Sequence, residues 1–122
     1  MRNKELESLY QMIEYIDKAL NYTNDIDFNT FSSDSKTQDA TIFNISQIGE
    51  LIKNISDLTI QKYSNIEWQM IKGLRNRIIH DYSGINLNNI WYIINYDLGD
   101  LKKDLKKVIN DIEKNSLNGN KN

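Results

Sequence analysis

The sequence predicts an all-α protein, a mostly antiparallel bundle of four main helices plus a short connecting helix. Three observations carry that expectation. Proline is absent and glycine occurs only 5 times in 122 residues. Apolar residues recur at alternating three- and four-residue steps. Capping-type polar residues stand at the head of the periodic stretches. No segment reads as a strand, and the length suits one compact domain. A helical bundle over residues 1–114 and a flexible polar tail over 115–122 are expected.

Leu6, Leu9, Ile13, Ile16 and Leu20 form one stripe, which predicts an amphipathic helix from about Asn3 to Tyr22. The Asn-, Asp- and Ser-rich stretch Asn24 to Lys36 breaks the period and reads as a loop. Ser35 and Gln38 have capping-box spacing and open a second helix with the stripe Phe43, Ile45, Ile48, Ile52 and Ile55. Gly49 inside it costs about 1 kcal/mol relative to alanine, which points to the close approach of another helix. Ser56 to Tyr63 reads as a turn or short helix. Ser64 and Glu67 form a second capping-box pattern, opening a helix from Trp68 to about Tyr82 that Gly84 is placed to end. Asn86 then caps a last helix with the seam Trp91, Ile94, Leu98, Leu101, Leu105, Val108 and Ile112.

Composition narrows the function. Lys and Arg total 15 against 17 Asp and Glu, a formal net charge of −2, so the chain is not built to coat nucleic acid, although a local basic patch remains open. With no cysteine, thiol catalysis, thiolate metal sites and disulfides are excluded, which fits a reducing compartment, and the cytoplasm is the expectation. The charged N-terminal segment does not read as a signal peptide, and no run approaches the roughly 20 apolar residues of a membrane span. One histidine, no cysteine and scattered carboxylates predict neither a metal site nor a cofactor.

The informative stretch runs from Trp68 to Tyr82. On a continuous helix Trp68, Ile71, Leu74, Ile78, Ile79 and Tyr82 share a broad apolar arc, and Arg75 falls inside it, about 20° from Tyr82. A guanidinium there must snorkel, find an acceptor or face a site, since it cannot discard its charge. His80, the single histidine, lies about 140° away on a polar strip with Lys72 and Asn76. It is the natural proton carrier near neutrality, but a histidine closing a helix C-terminus would look the same. Asn76 is four residues before His80 and can orient the imidazole. Arg77 and Asp81, also four apart, are expected to form a surface pair. Lys72 and Arg77, with Lys62, are the further cations near this stretch that a local basic patch would use, whereas the lysines at 102, 103, 106 and 107 alternate with Asp100 and Asp104 as a solvated face.

The segment Arg75-Asn76-Arg77-Ile78-Ile79-His80-Asp81-Tyr82 resembles the Arg-x4-His-x-Tyr signature of HepT-type toxins in the HEPN superfamily of small helical ribonucleases. The surroundings are similar too: Ile48-Gly49-Glu50, Trp68, Gly73-Leu74, Gly84 and Trp91, with the likeness covering about Leu6 to Lys107. Glu67 stands where family members often have proline, and Ser83 where they often have an aromatic residue.

The resemblance implies a HEPN-like bundle and metal-independent RNA cleavage by a toxin of a toxin–antitoxin system. Arg75 and His80 would be catalytic and Asn76 supporting, in a composite site shared by a homodimer. It further implies a nucleotidyltransferase antitoxin of MntA type that transfers adenylyl groups from ATP to Tyr82, the homodimer being part of a larger hetero-oligomer with that antitoxin. Two rivals stand beside this reading. One is a catalytically silent HEPN module that binds and orients a nucleotidyltransferase; the other is a helical dimerisation protein in which the motif is a relic.

Overall fold

The computed structural model describes residues 3–80 and 84–120, without the side chains of 80 and 116–120. Helix α1 (Lys4–Tyr22) starts where Asn3 Oδ1 accepts from the Glu5 and Leu6 amides at 2.9 and 3.2 Å, and Glu5 and Glu7 in its first turn suit the helix dipole. Its fully buried apolar face is Leu9, Met12, Ile16 and Ala19, while Leu6, Ile13 and Leu20 flank it half-buried. The buried stripe is therefore centred on Met12 and Ala19, which the sequence pattern passed over.

The stretch expected to be a loop contains a helix, α2 (Phe28–Ser32), capped by Asp27 through a 2.8 Å bond from the Thr30 amide. A single turn is too short to show a period. What holds it is Phe31, wholly buried with its ring centroid 5.2 Å from that of Trp91. Helix α3 (Ser35–Glu50) begins as expected, but Asp34 is its cap, accepting from the Thr37 amide at 3.1 Å and hydroxyl at 2.6 Å. Gln38 does not close a capping box; its amide donates 2.8 Å to the Phe31 carbonyl and fastens α2 to α3. Ile45 and Ile48 are buried, yet Phe43 is 58% exposed, because the inward face runs through Thr41, Asn44, Ile45 and Ile48.

A 3-10 turn (Leu51–Asn54) and α4 (Asp57–Lys62), capped by Ser56, follow. The Asn54 amide donates to Ser8 Oγ and the Ser56 amide to Glu5, pinning this corner to α1. The helix expected from Trp68 to Tyr82 is two short helices, α5 (Trp68–Lys72) and α6 (Leu74–Ile78), broken at Gly73. Ser64 supplies no cap to α5; instead the indole of buried Trp68 donates 3.0 Å to the Tyr63 carbonyl. Gly49 makes the close approach its position implied. A Cβ there would lie 2.8 Å from the Ile71 carbonyl oxygen, so α3 and α5 touch backbone to backbone.

Beyond Ile78 the chain turns extended into β1 (Ile79–His80), which pairs antiparallel with β2 (Gly84–Ile85) in the register Ile79 with Ile85 and His80 with Gly84. This minimal ladder departs from the strandless expectation. Gly84 does not end a helix; it holds φ +86° in the returning strand, a conformation that glycine adopts without a Cβ penalty. Asn86 caps α7 (Leu87–Tyr92) as expected, through the Asn89 amide at 3.0 Å. The last helical run is not uniform, since a π-helical turn (Ile93–Asp97) separates α7 from α8 (Leu98–Asn120).

Helix α8 packs on α1 with reversed direction. Lys102, early in α8, pairs at 2.6 Å with Asp17, late in α1, while Glu113, late in α8, accepts from the Tyr10 hydroxyl, early in α1. Lys102 is thus a bridge between helices rather than part of a purely solvated face. The core combines Leu9, Met12 and Ile16 with Ile45 and Ile48, Ile78, and Ile90, Leu98 and Leu105. The fold is all-α, as the sequence predicts. No helix among the described residues is long and apolar enough to cross a membrane.

Candidate functional site

The motif begins on α6. Leu74 and Ile78 bury one side of this short helix, together with Ile71 of α5. Arg75, about 100° from Leu74, faces away from them and is exposed, as are Lys72 and Asn76. The expectation that Arg75 sits inside the apolar arc is corrected. That arc assumed one helix to Tyr82, whereas the break at Gly73 and the end at Ile78 dissolve it and leave Ile79 37% exposed. Arg75 is exposed and has no ion pair among the described residues.

Arg77 behaves differently. Its guanidinium, half-buried, pairs at 3.2 Å with Asp97 in the π turn. Asp81, the partner expected four residues on, lies outside the described residues, as does Tyr82. For His80 only the backbone is described, opposite Gly84 in the ladder. The expected contact between Asn76 and the imidazole therefore also falls outside the described residues.

The C-terminus of α6 is closed by the last helical run. The Asn89 side-chain amide donates 2.7 Å to the Arg77 carbonyl, and the Asn86 backbone amide donates 2.7 Å to the Ile78 carbonyl. Both bonds satisfy carbonyls that a helix end leaves orphaned. Arg77 is thus held twice, by its carbonyl through Asn89 and by its guanidinium through Asp97. Between these tethers the last helix exposes two tyrosines, Tyr92 and Tyr96, with ring centroids 4.8 Å apart. Sequence reasoning missed Asn89, Asp97 and this pair. Only the i, i+4 spacing of the tyrosines was legible, and it does not by itself tell a surface pair from a core one.

A groove of about 290 Å³ lies between α5, α6 and the start of α8. Its floor is apolar, with Ile71, Leu74, Leu98 and Leu101, and Asp100 and Asp104 stand on its α8 side. No three of the described His, Asp and Glu residues are grouped to hold a metal ion. The resources of the site are cationic and amide groups: exposed Lys72, Arg75 and Asn76, with the backbone of His80 directly beyond α6.

The chain is thus a small all-α bundle that presents an arginine-bearing helix with a two-residue ladder directly after it. The chain belongs to the HepT-like ribonuclease family, whose model, described as "Ribonuclease HepT-like", matches residues 12–108. It is 37% identical over 105 residues to "Putative RNase MJ0127" of Methanocaldococcus jannaschii, covering 86% of this chain and 87% of that one. It is 32% identical over 103 residues to "Probable ribonuclease HepT" of Thermococcus cleftensis, covering 84% and 91%. No solved structure gives a significant match.

Proposed function

We propose that this ribonuclease is the toxin of a toxin–antitoxin pair and cleaves RNA without a metal ion, in a site composed by two copies of the chain. The observation that carries the reading is Arg75: an exposed guanidinium with no ion pair among the described residues, five positions before the single histidine of a HepT-like ribonuclease. An exposed cation on a short, doubly anchored helix is suited to a phosphate.

In the reaction a 2′-hydroxyl attacks the adjacent phosphorus, its proton leaves to a base, and the 5′-oxygen departs with a proton, leaving a 2′,3′-cyclic phosphate. His80 moves the protons, and Arg75 stabilises the charge that builds on the phosphorane oxygens. Asn76 positions one of them, and Lys72 and Arg77 contribute to RNA contact. One histidine per chain does not readily serve as base and acid at once, which favours a two-fold homodimer with both motifs facing one cleft. The partner is a nucleotidyltransferase antitoxin of MntA type, which silences the toxin by adenylylating Tyr82 within a larger hetero-oligomer. The setting is the cytoplasm.

The test is expression of the chain alone beside His80→Ala and Arg75→Ala. The wild type is expected to arrest growth and to cut RNA in the presence of a chelator, whereas both variants fold and do neither. Full cleavage by His80→Ala would overturn the catalytic assignment, and strict dependence on an added divalent ion would overturn the mechanism.

A further inference from the structure

The ribonuclease reading gives no role to the most conspicuous surface feature beside the motif, the Tyr92 and Tyr96 pair. The two residues are 54% and 65% exposed, their ring centroids are 4.8 Å apart and the ring planes are inclined by 39°. Tyr92 closes α7 and Tyr96 lies in the π turn, a distortion that departs from the usual helical register and recurs at functional sites. The pair is also tied to the motif helix. Asn89, one turn before Tyr92, holds the Arg77 carbonyl at 2.7 Å, and Asp97, next to Tyr96, holds the Arg77 guanidinium at 3.2 Å. The tyrosines thus occupy the surface between two bonds to one residue, which stands two positions after Arg75 and three before His80.

We propose that Tyr92 and Tyr96 form a stacking platform for a nucleobase of single-stranded RNA, holding the strand beside Arg75 and His80. The proposal rests on the ribonuclease reading and extends it to the form of RNA that the site takes. Attack by a 2′-hydroxyl requires the attacking and leaving oxygens to line up across phosphorus, and a strand whose bases are splayed out can be held in that arrangement. A flat aromatic surface accepts any base, because every base has a π face.

Charge sets the path of the strand. On the α8 side of Tyr96 stand Asp100 and Asp104, which repel phosphate, while the carboxylate of Asp97 is occupied by Arg77. Arg75 on α6 and Lys72 at the end of α5 are exposed cations without an ion pair among the described residues, while Glu67 at the start of α5 lines the groove together with Asp100 and Asp104. A strand with a base on the tyrosines therefore runs its phosphates toward α6 and away from α8. The same charges disfavour a duplex, whose two backbones would bring phosphate to both sides.

The test uses the full chain carrying His80→Ala, so that bound RNA is not consumed, and two labelled probes: an octamer of uridine and a hairpin RNA without a loop long enough to stack. Fluorescence anisotropy reads affinity, and light scattering reads mass. Replacing Tyr96 by Ala is expected to weaken octamer binding about tenfold, within the range for loss of one base–aromatic stack, and to leave hairpin binding unchanged. Tyr96→Phe is expected to restore the affinity, since stacking needs the ring and not the hydroxyl. In the active protein Tyr96→Ala should raise KM for the octamer far more than it lowers kcat.

Unchanged octamer affinity in both Tyr96→Ala and Tyr92→Ala overturns the platform while leaving the ribonuclease reading intact. So does a Tyr96→Phe protein as weak as the alanine variant, or a fall in mass on either alanine substitution, which would assign the tyrosines to contact between chains. A wild type that cleaves no RNA, with a His80→Ala chain that binds neither probe, overturns both proposals together.

Discussion

Arg77 and Asp97, twenty residues apart in sequence, face each other at 3.2 Å and join the motif helix α6 to the π turn of the last helical run. Their side chains are 30% and 35% exposed, so solvent screens the pair, and its worth falls within the roughly 0.2–1 kcal/mol of accessible ion pairs. Asp97→Asn is expected to lower stability by less than about 1 kcal/mol, with the loss shrinking as salt rises. Asn89→Ala should cost as much or more, about 1–2 kcal/mol and independent of salt, because it leaves the Arg77 carbonyl without its donor. Urea unfolding of each variant at low and high ionic strength separates the two.

The contact between α3 and α5 makes a sharper demand. Gly49→Ala adds a methyl group 2.8 Å from the Ile71 carbonyl oxygen and 3.2 Å from that of Lys72, both rigid backbone atoms. Helix propensity favours the alanine by about 1 kcal/mol, but forcing the two backbones apart costs more. A net destabilisation of about 1–3 kcal/mol is expected. Gly99 in α8 is the control: no atom lies within 4 Å of its would-be Cβ, so Gly99→Ala should stabilise by up to about 1 kcal/mol. Thermal unfolding that moves in the same direction for both would contradict this backbone contact.

Helix capping couples stability to acid. The Thr37 hydroxyl and amide on Asp34 hold its carboxyl below the ordinary 3.8, and the Thr30 amide does the same for Asp27. A carboxyl depressed in the folded state stabilises above its unfolded value and loses that contribution as pH falls through the folded value. Asp34→Asn keeps an acceptor and removes the titration. The advantage of the wild type over this variant should therefore be greatest at neutral pH and vanish well below pH 3.8. An advantage that persists unchanged in acid would show that the charge of Asp34 contributes nothing to the cap.

Periodicity and caps read α1, α3 and the Asn86 start of the last run, because each is long or locally signalled. What the sequence hid has physical causes. Helix α2 is one turn long and depends on Phe31 meeting Trp91, sixty residues away. The break at Gly73 and the ladder beyond Ile78 arise where Asn86 and Asn89 close α6 from another element. Those long-range bonds also explain the misplaced Arg75: a helical wheel assumes a helix, and this one ends before the wheel is complete. The residue types of the site were legible in the motif, but the groups that anchor it, Asn89 and Asp97, are twelve and twenty residues beyond Arg77 and carried no local signal.

The last prediction concerns Tyr82, which stands in sequence between His80 and Gly84, whose backbones pair. If the proposed nucleotidyltransferase antitoxin acts on it, its phenol oxygen attacks the α-phosphorus of ATP, releasing pyrophosphate and forming an adenylyl phosphodiester. Because α6 ends at Ile78, the helical spacing that sets Arg75 about 20° from Tyr82 does not apply. Chemistry still favours an effect on the site: the modification adds a negative charge and a nucleoside seven residues from an exposed guanidinium, which can then hold that phosphate in place of RNA. Tyr82→Phe keeps the ring and removes the nucleophile, so the variant should retain its fold and escape neutralisation by the partner. Mass spectrometry of the co-expressed chain should find adenylyl increments on Tyr82 of the wild type and none on the variant. Increments on another residue, or silencing of the Phe variant by the partner, would show that Tyr82 is not the switch.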